Sequence, residues 1–285
     1  MTKNKYAIFI LTYGRPDGVV TIPILEKCGY TGKIYLVVDD SDKSLEKYKE
    51  NYGDDVIVFS KKDYWGKFDM MDNSEADNTV TFARIAVFDI AKELGYDYFV
   101  VLDDDYKHFD YRFNDEYKYI PASRPIKNLD NIFDYMVDYI KSTNVSCMAF
   151  AQGGDFIGGR NGGMATAVKT KRKIMNVYVF KTEDRVEWFG RMNDDVNTYI
   201  RLGIIGKILL TTTQVCVEQT TTQANSGGLT DMYKANGTYA KSFYSVMASP
   251  SSVKINLMGN KHKRMHHIIS WRNTVPKILK EEVKK

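Results

Sequence analysis

The chain has little of what marks the common special classes of protein. It carries three cysteines in 285 residues, Cys28, Cys147 and Cys216, far apart and odd in number. They make no C-x-x-C pair and no disulfide framework, which suits a reducing compartment. Prolines number six while aromatics reach 13%, the reverse of a disordered composition. No charge-free apolar run of about 20 residues occurs, so no membrane-spanning helix is expected. The apolar stretch near the start covers only residues 6–11; it is too short for a signal peptide and reads as a strand. The glycine-rich stretch 153–163 lacks a Gly-Lys-Ser/Thr, so it is no P-loop. It also comes too late, and opens no clear helix, for a dinucleotide fingerprint. It reads as a loop over the site, where glycines let a substrate approach closely.

What is present is an uneven charge. The net charge is +4, but residues 254–285 hold nine Lys/Arg and two Glu, or +7, leaving −3 for the rest. Residues 156–182 hold six basic side chains and no acid. Basic blocks in an otherwise acidic chain suggest a polyanionic ligand, either nucleotide phosphates or nucleic acid. A solvated surface is the plain alternative.

The first half alternates between strand and helix. Strands are expected at 6–11, 33–38, 56–59, 98–102 and 145–151, and helices at 19–28, 44–51, 78–94 and 128–142. Val80, Ala83, Val87, Ile90, Ala91 and Leu94 follow a helical period, and Gly95 closes that helix. This spacing predicts an α/β fold, a mostly parallel sheet with helices on both faces, followed by a less regular second half. Ligands of such sheets bind beyond the carboxyl ends of the strands. Residues 13–15, Asp39-Asp40 and Asp103-Asp104-Asp105 would gather there.

Asp103-Asp104-Asp105 directly follows an apolar strand. Strand alternation would give Asp103 and Asp105 one direction and Asp104 the other. Carboxylates so close repel unless a hard cation, Mg²⁺ or Mn²⁺, sits between them and a diphosphate. Tyr13 and Arg15 follow the first strand, where an aromatic could stack a base and an arginine pair a phosphate. Residues 186–196 end in Asn193-Asp194-Asp195 at a helix start. Asp194 is expected to cap that helix and Asp195 to act as base, with the choice between the two acids left open. Three of the four histidines lie at 262, 266 and 267, among Lys261, Lys263 and Arg264.

These segments together resemble the nucleotide-diphospho-sugar glycosyltransferases of the GT-A fold. Leu102-Asp103-Asp104-Asp105 resembles the DxD motif, and Val37-Val38-Asp39-Asp40-Ser41 the second-strand acid that contacts the nucleoside. The resemblance implies metal ligation by Asp103 and Asp105, with a late histidine (His266 or His267) as a further ligand. It implies donor-nucleotide contacts from Thr12, Tyr13, Arg15, Asp39, Asp40, Arg84 and Asp104. Lys261, His262, Lys263 and Arg264 would close over the diphosphate. Leu-Asp-Asp-Asp-Tyr, the glycine-rich loop and the late Met-Gly-x-x-His-x-Arg-x-His-His further resemble phage-type DNA-modifying glycosyltransferases associated with TET/JBP-type dioxygenases.

That resemblance implies one domain over residues 1–285, with a nucleotide-sugar half (1–105) and an acceptor half (106–285). The donor would be a UDP-type sugar nucleotide. The acceptor would be the hydroxyl of a 5-hydroxymethylated pyrimidine in DNA, contacted by Arg160, Lys171, Arg172 and Lys173. The location would be cytoplasmic, within the host for a phage-encoded chain. Two other readings compete with this one: a polysaccharide or protein acceptor in the same fold, and a non-catalytic nucleic-acid-binding protein. The acids at 103–105 oppose the second, because they would repel phosphate without a cation between.

Overall fold

The computed structural model describes residues 4–220, 239–259, 263–276 and 281. Strands β1 (Tyr6–Leu11), β2 (Ile34–Asp39), β3 (Val56–Phe59) and β4 (Tyr98–Asp103) alternate with helices α1 (Thr21–Lys27), α2 (Leu45–Tyr52) and α3 (Thr81–Glu93). The four strands pair in parallel in the order β3-β2-β1-β4. There follow β5 (Tyr106–Tyr111), α4 (Leu129–Ser142), β6 (Val145–Gln152), β7 (Thr170–Lys171), β8 (Asn176–Lys181), α5 (Asp194–Ile204) and β9 (Ile208–Gln219). Helix α6 (Ala240–Ala248) and a hairpin of β10 (Val253–Met258) and β11 (Arg264–Ile269) complete the described chain.

The main sheet has nine strands among the described residues and continues past β4 as β8-β6-β9-β5, with β7 on β9. The α/β class read from the sequence is what the chain adopts. Parallel pairing runs through the whole first half and returns at β6–β9. The second half departs from it because β8 inserts antiparallel between β4 and β6. It reaches that place through the irregular segment after β6 rather than through a helical crossover, which parallel pairing would require.

Strand alternation builds two cores. Ala7, Phe9 and Leu11 of β1 face one cluster with Phe99 and Val101 of β4, under α3 and α5. Tyr6, Ile8 and Ile10 face the other with Val100 and Leu102, under α1 and α4. Both faces of these strands are covered, which is why they read as unbroken apolar runs. Helix α3 starts at Thr81, later than its apolar period implies, because Thr79 Oγ1 donates to the Arg191 carbonyl (3.0 Å) and ties the preceding turn down. Gly95 follows α3 with φ +72°. Among the described residues, no helix is long and apolar enough to cross a membrane.

The turn after α1 is the tightest approach in this framework. Gly29 has φ +82°, and a Cβ there would lie 2.3 Å from the Lys127 carbonyl oxygen. The Leu129 N–H beside it donates to the Cys28 carbonyl (3.0 Å) and sets the start of α4. Gly29→Ala is therefore expected to cost roughly 1–2 kcal/mol for the left-handed backbone alone, and more for the clash. The check is urea unfolding, in which the midpoint should fall at an unchanged slope.

Candidate active site

Strands β1, β2 and β4 run in parallel and end together, with Leu11 opposite Val37 and Asp103. The three segments expected to converge therefore leave one sheet edge. Thr12 Oγ1 donates to Asp104 Oδ2 (2.6 Å) and meets the Tyr48 hydroxyl at 2.7 Å. Arg15 Nη2 lies 3.1 Å from Asp104 Oδ1. Asp104 is buried, so Thr12 and Asp104, expected on the nucleotide, are turned onto each other instead. The reason is local. Strand β4 ends at Asp103 and residues 104–105 form a turn, so the alternation assumed for 103–105 stops one residue early. The Arg15 side chain stays 31% exposed at the rim.

Beside this lock is a smaller polar corner. Asp39 is buried, and its Oδ1 accepts from the Ser41 N–H at 2.8 Å. Its buried Oδ2 has no hydrogen-bond partner among the described residues, and Lys61 Nζ stands 3.8 Å off. Lys61 also lies 4.8 Å from the centre of the half-exposed Tyr13 ring. Asp40, by contrast, is exposed, and its N–H donates to the Phe59 carbonyl (2.8 Å). Lys61 was not singled out in the sequence, although its place just after β3, at the same edge, was available as a signal.

Asp103, the last residue of β4, lies close to the start of α5. Arg84 of α3 is buried and forms an ion pair with Asp194, the first residue of α5. Its guanidinium packs over the rings of Tyr178 (5.2 Å) and Trp188 (4.9 Å). The expectations for both partners change accordingly. Arg84 spends its charge inside the protein, and Asp194 pairs with it rather than capping the helix. Asn193 holds the cap position with φ +52° and makes no side-chain cap. Its amide donates instead to Ser245 Oγ of α6 (3.0 Å) and lies 3.2 Å from His267 Nδ1 of β11.

Burial pushes the Asp103 carboxyl up against the pull of Arg84, and Asp194 adds repulsion. Asp105 is pushed up to about 6 by burial and by Asp103 and Asp104. Asp195 is raised to about 6 by burial and then by Asp194, with Arg84 opposing. Its Oδ1 accepts the Val196 N–H at 2.8 Å. Burial pushes the Lys241 ammonium of α6 down, with nearby Asp195 pulling the other way.

The basic residues of the second half divide into two sets. Lys171 (2.7 Å) and Lys173 both pair with buried Asp155, and the two ammoniums, two residues apart, hold it below the usual carboxylate range despite its burial. They were expected to face an acceptor, but each is engaged by that acid. Arg172 donates to the Trp271 carbonyl (3.1 Å) and is exposed, as are Arg160, Lys263 and Arg264. Lys261 and His262 lie outside the described residues. The His266 and His267 rings lie 4.3 Å apart and tilted by 31°, and burial pushes His267 down to about 4, helped by His266, Lys241 and Lys173. Among the described residues, no group of three or more His, Cys, Asp or Glu is arranged to hold a metal. The two histidines thus do not complete a ligand cluster with Asp103 and Asp105.

Removing one member of the Arg84–Asp194 pair leaves a buried charge alone. Arg84→Met is expected to cost about 3–5 kcal/mol, and adding Asp194→Leu should recover part of it. Chemical denaturation of the two single variants and the double variant measures the coupling.

No curated protein sequence matches the chain. Among solved structures, glucosyl-3-phosphoglycerate synthase from Mycobacterium tuberculosis, in complex with Mg²⁺ and UDP, is similar at 8% identity and a TM-score of 0.45. That match covers 94% of this chain and 88% of that one. S. aureus TarS in complex with UDP is similar at 9% identity and a TM-score of 0.43, over 86% of this chain and 65% of that one. A family profile, that of the TET-associated glycosyltransferases, matches residues 6–228. That span holds the β1 loop, the acids at the end of β4, the Arg84–Asp194 pair and Asp195, and the chain belongs to the TET-associated glycosyltransferase family.

Proposed function

We propose that this glycosyltransferase moves a sugar from a UDP-type nucleotide to the hydroxyl of a 5-hydroxymethylated pyrimidine in DNA. The observation that carries the donor side is the set of carboxylates at the end of β4, pushed upward by burial and by one another, at the edge that also holds Asp39, Tyr13 and Arg15. Asp39, with a buried oxygen lacking a hydrogen-bond partner among the described residues, suits a nucleoside N–H or O–H. Tyr13 offers a ring to the base and Arg15 a guanidinium to phosphate.

The donor set fits Mg²⁺ or Mn²⁺. Both ions take hard oxygen ligands, and Mg²⁺ commonly takes one or two carboxylates together with substrate phosphates. Asp103 and Asp105 would hold the ion. When bound, it offsets charge on the diphosphate and so improves the leaving group.

On the acceptor side, Asp194 is committed to Arg84, so the base is Asp195. A carboxylate raised to about 6 is well matched to taking a proton near neutrality. In a direct displacement the acceptor oxygen bonds to the sugar's anomeric carbon as its proton passes to Asp195. The bond from that carbon to the diphosphate breaks, and the electron pair leaves with the nucleotide.

The experiment is turnover of UDP-sugars on 5-hydroxymethylated DNA, coupled to thermal shifts with Mn²⁺ and UDP. Asp105→Ala should lose the metal-dependent rise in melting temperature, which in the wild type reflects a stabilisation of about 2.7 kcal/mol at one hundred times Kd. Asp195→Asn should keep that rise but lose roughly 10²–10⁴-fold in turnover. Normal turnover by Asp195→Asn would place the base elsewhere.

DNA binding should weaken steeply with salt. Arg160→Gln and Lys263→Gln, both exposed, should each lower the slope of log K against log salt by about 1. A salt-independent affinity, or transfer to a glycan in preference to DNA, would remove the DNA acceptor.

A further inference from the structure

Between residues 170–175, α5 and the strand β11 lies a cavity of about 600 Å³ that the donor site does not use. We infer that it receives one nucleotide of the acceptor, turned out of the DNA, with its phosphate on Arg172 and Lys173 and its base against an aromatic wall. This rests on the DNA-acceptor reading above and adds where, and by what chemistry, the acceptor is held.

Three features carry the inference. The first is charge. Lys171, Arg172 and Lys173 all line the cavity. Among the described residues the one acid paired with them is Asp155, which takes both lysines, so three cations face one carboxylate and two positive charges remain in excess. A neutral sugar or peptide gives such a surface nothing to neutralise, whereas a phosphate does.

The second is an apolar, planar wall. Tyr199 and Trp271 stack at 5.8 Å with their rings 16° apart, and the Arg172 guanidinium lies 5.9 Å from the Trp271 ring centre. Met175 and Ile269 line the same space. An aromatic face with a guanidinium at its side suits a base whose phosphate lies nearby.

The third is location. Tyr199 is one helical turn after Asp195, and burial with the nearby Asp195 and Asp155 charges raises its phenol. His267, which also lines the cavity, lies 3.2 Å from the amide of Asn193, two residues before Asp195. Two of the cavity's lining residues are thus tied to the start of α5, where the proposed base stands. Its volume lies within the roughly 300–1,000 Å³ of small-molecule sites. A pyrimidine stacked in a duplex cannot enter such a space, so it must leave the stack, as bases do in other enzymes that modify them.

The test is calorimetric titration with 5-hydroxymethyl-2′-deoxycytidine 5′-monophosphate, its nucleoside and inorganic phosphate, alongside DNA transfer kinetics. The wild type should bind the monophosphate at least about tenfold more tightly than the nucleoside, and more tightly than inorganic phosphate. Arg172→Gln should erase the preference for the monophosphate and raise KM for DNA, and Arg172→Lys should restore part of both. Trp271→Leu should weaken nucleotide and nucleoside alike. Should Trp271→Leu fail to fold, exposed Arg172 decides the question alone. Equal binding of nucleotide and nucleoside, no binding, or an unchanged KM in Arg172→Gln would overturn the cavity assignment. If the wild type binds the monophosphate in this way but never glycosylates DNA, the acceptor reading fails while the nucleotide cavity stands.

Discussion

One buried arginine ties the two halves of this protein together beside the candidate active site. Arg84 stands in α3, in the first half of the chain, and pairs with Asp194 at the start of α5, in the second. Asp103, Asp194 and Asp195 all act on its charge, and burial alone would disfavour it. Three carboxylates without that cation would repel one another inside the protein, and the start of α5 would lose its tie to α3. The rings of Tyr178 and Trp188 on the guanidinium leave little freedom for it to move. The orientation of Asp195 relative to the end of β4 therefore follows from an ion pair that touches neither substrate in the proposed reaction.

A second set of contacts fixes the same helix start from the other side. Arg191, almost fully buried, pairs with Asp72 and donates to the Ser74 carbonyl (2.7 Å). The Gly190 and Arg191 N–H groups donate to the Asp69 and Met70 carbonyls. Asn193 then ties the turn to α6 and β11. An asparagine tolerates the left-handed backbone there better than most residues. Elements distant in sequence thus meet over four residues, 190–193, and the acids that follow inherit their position from all of them.

Much of the fold could be read from the residues because it rests on local periodicity. Short unbroken apolar runs and one helical period were enough for β1 to β4 and α3, within a few residues at each end. The convergence of residues 12–15, Asp39 and Asp103 follows from parallel pairing alone. The antiparallel entry of β8 was not legible, since it depends on where a long irregular segment returns. Partner choice inside the site was equally hidden. Nothing near Asp194 in the sequence names Arg84, 110 residues away, and nothing near Lys171 and Lys173 shows that Asp155 will neutralise part of their charge. A basic run looks the same whether it faces solvent or closes on a buried acid.

That last distinction bears on how a polyanion would be handled. Exposed cations such as Arg160 and Lys263 act through long-range attraction, which salt screens and which carries no geometry. Lys171 and Lys173, held by Asp155, are fixed in position before any ligand arrives, so little conformational entropy remains to be lost when one binds. The carboxylate lowers the net charge but supplies the order. The first set suits capture of a DNA backbone anywhere along its length, and the second, together with Arg172 between them, which donates to the Trp271 carbonyl, suits a phosphate in one place. Recognition of the proposed DNA acceptor would need both, because attraction alone brings the strand near without choosing the nucleotide that meets the proposed base.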